Sequence, residues 1–236
     1  MKKHLFFFIF VSIAHLFYGQ EKYTIRGEFP DHSLDNEYVL LYDFSSLQGE
    51  YERSKQAFID SILVIDKVFH YEGTINRDPF LALALCSKGR YLKYSTTFIV
   101  EPGNIQIRIV DWASDGDVSG TSINNDYNKY IIEWRNLISK ARSLRAKRED
   151  ITKSDTPKDD KHMSLRDAYT HAEEGKLIFL EKYAAYPDVV RYWLSFYLNG
   201  RRASKNPDFP KYLQILDRMP KADRDILLAW RDYTIK

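Results

Sequence analysis

Residues 60–75 read DSILVIDKVFHYEGTI. The stretch divides at Asp66–Lys67 into two segments rich in β-branched and aromatic residues, the pattern of a strand, a two-residue turn and a second strand. Phe58 to Ile65 is apolar on both faces apart from Asp60 and Ser61. After the turn Phe69 and Tyr71 alternate with Val68, His70 and Glu72, so His70 falls on the more polar face. An acid, a hydroxyl and an imidazole therefore share one short segment: Asp60, Ser61 and His70. A hydrolase built on them would need Ser61 and His70 within hydrogen-bond reach and a carboxylate to orient the ring. About a turn at Lys67 the two would be near cross-strand neighbours. However, no strained nucleophile elbow or glycine-rich oxyanion loop surrounds Ser61. Asp and Ser at a strand entrance commonly bond nearby backbone groups instead. The segment reads as a β-hairpin, with the Asp60/Ser61/His70 hydrolase as the alternative.

Outward from this hairpin, residues 22–110 repeat the strand pattern. KYTIRGEF (22–29) and EYVLLYDF (37–44) precede it; PFLALALCSK (79–88), KYSTTFIV (93–100) and NIQIRIV (104–110) follow. Leu81, Leu83 and Leu85 share one face of their strand, and Ala82, Ala84 and Cys86 the other, which makes a large side and a small side. Between the last two strands, EPGN places Pro102 and Gly103 where a type II turn needs a fixed φ and then a positive one. About seven short strands with frequent turns predict an antiparallel sandwich or open barrel.

Beyond DWASDGDVSG (111–120) the period changes to that of a helix. From Asn124 to about Arg148 the apolar residues are Tyr127, Ile131, Trp134, Leu137, Ile138, Ala141 and Leu144, and Ser122 or Asn124 could cap the start. A charged stretch separates this helix from a second, striped by Leu165, Tyr169, Ala172, Phe179, Leu180 and Tyr183, giving a long helical hairpin. Shorter helices follow, punctuated by Asn199–Gly200, Pro207, Pro210 and Pro220. The expected class is α+β: a signal peptide over 1–20, a β-sandwich-like domain over 21–122 and a helical subdomain over 123–236.

The first twenty residues differ in texture from the rest. Lys2 and Lys3 precede an apolar run from Leu5 to Phe17, after which the chain turns polar, as in a secretory signal peptide. The run falls short of the roughly 20 residues a membrane span needs. Cys86 is the only cysteine, so no lipid-bearing cysteine follows the run and no intramolecular disulfide can form. The expectation is a soluble exported protein, periplasmic rather than a lipoprotein, with no stable membrane span after cleavage. Removal of residues 1–20 leaves 33 basic side chains against 33 acidic ones. A neutral mature chain offers no long-range field for nucleic acid or an anionic membrane.

A family resemblance rests on the order of several pieces. Asp60–Ser61, then Asp66–Lys67 and Phe69, then Gly73, stand between YTIRGEF (23–29) and YVLLYDF (38–44) on one side and FIVEPGNIQIRI (98–109) and VSGTSINNDYNKY (118–130) on the other. This string resembles the domain of unknown function 4369 family, exported bacterial domains that commonly precede a thioredoxin-like domain of the thiol–disulfide oxidoreductase type. FLEKYAAYPDVVRYWL (179–194) is similar to the family's linker helices. The sequence ends at Lys236 without a Cys-x-x-Cys, and a dithiol needs two sulfurs. The family's oxidoreductase activity is therefore not carried over, and the domain is expected here standing alone.

The remaining candidates favour structural roles. Cys86, among alanines, reads as a buried small hydrophobe. Asp111, Asp115 and Asp117 miss the calcium-loop spacing and read as turn residues. Lys140, Arg142, Arg145, Lys147 and Arg148 form a basic helix end that suits solvent. His162 and His171 stand too far from other ligands for zinc. The dense aromatic series Phe179, Tyr183, Tyr186, Tyr192, Trp193, Phe196 and Tyr197 reads mainly as core, with Tyr186, Tyr192 and Trp193 as binding candidates for a glycan or peptide groove. No catalytic, cofactor or metal residue is assigned. The expected function is a non-catalytic exported binding or interaction module whose partner is an envelope protein of thioredoxin-like fold or a glycan. A docking accessory to an envelope thiol–disulfide oxidoreductase and a hydrolase are the alternatives.

Overall fold

The structure is a computed structural model that describes residues 21–45, 57–88, 91–110, 115–132, 135–136, 139, 165–198 and 209–235. Among the described residues eight strands form two open four-stranded sheets, followed by helices, an α+β arrangement. The strands are β1 (Glu21–Glu28), β2 (Tyr38–Asp43), β3 (Ala57–Leu63), β4 (Val68–Ile75), β5 (Phe80–Lys88), β6 (Tyr91–Val100), β7 (Gly103–Arg108) and β8 (Asp117–Ser119). Sheet A has the order β4-β1-β7-β8 and sheet B the order β3-β2-β5-β6. The eighth strand lies in the acidic stretch read as turns; three residues are too few to show alternation.

The opening segment corrects the hairpin expectation. Asp66 and Lys67 do form a two-residue turn, both at positive φ (50° and 66°), with Ile65 and Val68 exchanging backbone hydrogen bonds at 2.9 and 3.0 Å. That is the primed turn of a hairpin. Yet the strands part at once: β3 pairs with β2 in sheet B, and β4 with β1 in sheet A. The turn carries the chain from one sheet to the other, with Val64 fully buried at the corner. Left-handed backbone at a lysine is unfavourable. It is held by the Asp35 carboxylate, which accepts from the Lys67 N–H at 2.8 Å, and by the Phe29 N–H, which donates to the Lys67 carbonyl at 2.8 Å.

A second tight turn, at Pro102–Gly103 with Gly103 at φ 117°, returns the chain from β6 in sheet B to β7 in sheet A. As a result β7 runs parallel to β1, so sheet A is mixed rather than wholly antiparallel. Close packing explains two glycines in this sheet. Gly27 and Phe69 are cross-strand partners, as are Gly73 and Tyr23. In each pair the ring lies over the glycine: a Cβ at Gly27 would sit 1.9 Å from Phe69 Cε1, and one at Gly73 would sit 2.5 Å from Tyr23 Cζ.

The large and small faces of β5 have a structural reason. Sheet B is covered on both sides at β5 and β6. Ala82, Ala84 and Cys86 share the face of Val39 and Leu41, toward sheet A, where Phe29, Phe69 and Tyr94 supply the bulk; Phe29 and Tyr94 meet edge to face at 5.4 Å. Leu81 and Ile99, also fully buried, point to the other side under the helices. The helices are α1 (Ser122–Tyr127, continuing as a π turn over Asn128–Ile132), α2 (Leu165–Lys182), α3 (Pro187–Leu198), α4 (Phe209–Leu216) and α5 (Lys221–Ile235). Most of the first arm of the expected helical hairpin beyond Ile132 lies outside the described residues. One buried cluster runs through both sheets and the helices, from Tyr23 to Leu227. Each large aliphatic side chain buried in it contributes about 2 kcal/mol over its exposed state.

Candidate functional site

The most connected polar site among the described residues joins two of the sequence pieces singled out above. Glu101 follows β6, and Thr121 to Asn124 open α1. The Glu101 carboxylate, nearly buried, accepts from the Thr121 hydroxyl at 2.6 Å, from the backbone N–H of Ile123 at 2.8 Å and from that of Asn124 at 3.0 Å. It caps a helix start whose N–H groups have no intrahelical partner, and its charge suits the helix dipole there. The Asn124 side chain also bonds to the outer edge of β6, in place of a neighbouring strand, and donates to Thr121 Oγ1 at 2.8 Å. One oxygen of Glu101 thus gathers donors from both the side chains and the backbone of the helix start. The cluster is a latch that fixes α1 to sheet B.

The structure does not bring Asp60, Ser61 and His70 together as a catalytic group. Ser61 pairs with Leu40 on the face of sheet B away from the sandwich interior, and His70 pairs with Arg26 on the outer face of sheet A. The two side chains thus point in opposite directions across the sandwich. Asp60 stands in the middle of β3 rather than at a strand entrance, and accepts from the Ser61 backbone N–H at 2.7 Å, while His70 lies 3.4 Å from Glu72.

The aromatic candidates sit on α3 and the corner before it. Trp193 is 6% exposed, its ring 4.8 Å from Tyr192 and 6.4 Å from Tyr127, and its indole N–H has no hydrogen-bond partner among the described residues. Tyr192 is half-buried against Phe44 of sheet B at 4.8 Å, while Tyr186 is exposed. Phe179 and Tyr183 are buried; the side chains of Phe196, Tyr197 and His171 lie outside the described residues. So do Asp111, His162 and the basic group from Lys140 to Arg148. Asp115 pairs with Arg135 at 2.9 Å, and burial raises its carboxyl against the pull of that cation. Cys86 is fully buried; burial, with Glu37 adding to it, pushes its thiol up to about 11. A thiol so held is a poor nucleophile.

Two charged arrangements carried no sequence signal, because each draws on segments far apart in the chain. Asp43, Arg77, Asp188, Arg191 and Asp223 alternate in sign from β2 to α5. Arg77 lies 2.5 Å from Asp43 and 3.8 Å from Asp188; Arg191 lies 3.3 Å from Asp188 and also bonds Asp223. A cleft of about 280 Å³ opens beside them, lined by Asp78, Asp188, Arg191 and Asp223 together with Ala185, Pro187 and Pro220. Between α2 and α4, the fully buried Lys176 lies 2.6 Å from Glu173, which also accepts from the Tyr212 hydroxyl.

The β3 edge of sheet B gathers several exposed apolar side chains. Among the described residues β3 pairs with β2 alone, and Asp60 is the one charged residue within it. Phe58 is 56% exposed, Leu63 38%, Ile65 66% and the neighbouring Tyr38 53%. Solvent-facing edge strands are usually protected by charges, proline or a covering element.

Residues 23–127 match the family model for the Domain of unknown function (DUF4369), from the middle of β1 to the end of α1. The latch and the crossing turn both lie within the matched span. No curated protein matches the chain. No described helix is long and apolar enough to cross a membrane.

Proposed function

From a chain whose residues 23–127 form this domain of unknown function, we propose a non-catalytic exported interaction module that receives an extended segment of a protein partner along β3. The observation that carries this reading is the apolar β3 edge of sheet B, on which no strand pairs among the described residues. A partner strand would satisfy the outward backbone groups of β3 and cover Phe58 and Leu63, as in recognition by strand addition. The engagement of Glu101 and Asn124 in the latch, and the opposed directions of Ser61 and His70, support a scaffold role over chemistry. Lys2 and Lys3 ahead of the Leu5–Phe17 run support export to the periplasm through a signal peptide. A docking accessory for an envelope thioredoxin-like oxidoreductase is the narrower form of the same reading, supported by the company this domain keeps in the exported proteins it resembles.

The test places a photo-crosslinking residue at Phe58 of the full-length protein in envelope extract, with the same residue at Thr74 on sheet A as control. A protein adduct at position 58, missing at 74 and lost on Leu63→Asp, is the expected result. Equal labelling at both positions would overturn strand addition at β3. Retention of glycan fragments in place of protein would move the site to the aromatic residues of α3. An adduct of thioredoxin-like fold would establish the accessory form.

A further inference from the structure

We draw no further inference here: the strongest candidate, the cleft between the β4–β5 turn and the starts of α3 and α5 lined by Asp78, Asp188, Arg191 and Asp223, carries nothing because Arg77 and Arg191 already answer Asp188 and Asp223 within the chain and no second observation points to a ligand there.

Discussion

Asn124 serves Ile99 as a neighbouring strand would: its side-chain carbonyl accepts from the Ile99 N–H at 2.9 Å, and its amide donates to the Ile99 carbonyl at 2.7 Å. One side chain from α1 thereby closes the edge of β6 at a fully buried position.

Asn124→Ala should destabilise the protein by about 3 kcal/mol, since it strands a buried backbone donor and acceptor together. Urea unfolding is the measurement, read as a lower midpoint with little change in slope. Asn124→Asp should also destabilise, because it removes the amide donor and sets a second carboxylate beside Glu101. A midpoint unchanged by either substitution would show that the latch is dispensable.

Gly27→Ala should cost about 2–3 kcal/mol, the usual range for overpacking a well-filled core. The new methyl group would enter the space of the Phe69 ring, and that ring is buried and has nowhere to turn. Adding Phe69→Leu should return part of the loss. If the double variant proves less stable than both single variants, steric conflict with the ring is the wrong explanation.

Cys86 should resist thiol reagents in the folded protein. With the thiol pushed up to about 11, a native molecule at pH 8 holds on the order of 10²-fold fewer thiolates than free cysteine. Its raised value also makes the fold prefer the protonated form. The associated stability is complete below the ordinary thiol value and is lost as pH rises from there through about 11. Labelling with a chromogenic disulfide at pH 8, with and without urea, checks this. Rapid labelling without urea would place Cys86 at the surface.

Asp126 links α1 to α2, accepting from Lys182 at 2.5 Å and from the Tyr183 hydroxyl at 2.7 Å. Burial acts to raise its carboxyl, but these two hydrogen bonds together with the charges of Lys182 and Lys129 outweigh that and hold it below the usual carboxylate range. The native state therefore prefers the ionised form. Its contribution is full above the ordinary carboxylate value and disappears as pH falls through the depressed one. Thermal midpoints of the wild type and Asp126→Asn should differ near neutral pH and converge in acid. A difference that stays constant into strong acid would mean the ion pair is not its source.

Much of the architecture is readable from residue periodicity. The alternation in PFLALALCSK assigns the leucines to one side and the small residues to the other, and Leu81 and Ala84 are indeed buried on opposite faces of one strand. Asp66–Lys67 marks a turn, Gly103 takes its positive φ, and Phe179 and Tyr183 pack inward. These features are local: a side chain's face follows from its parity along the strand or helix, and a turn from the conformational freedom of two residues.

Which strand lies beside which is a different kind of fact. The segment from Ile65 to Val68 has every mark of a hairpin, yet its two arms join different sheets, and Ser61 and His70 end on opposite outer faces. Nothing in their spacing distinguishes that outcome from direct pairing, because both leave the same residues buried. The meeting of Glu101 with Asn124 and the alternating charges from Asp43 to Asp223 are equally silent in the sequence. Hydrophobic pattern specifies that a face must be covered; the choice of cover is made by the whole chain at once, through the packing of all the faces against one another.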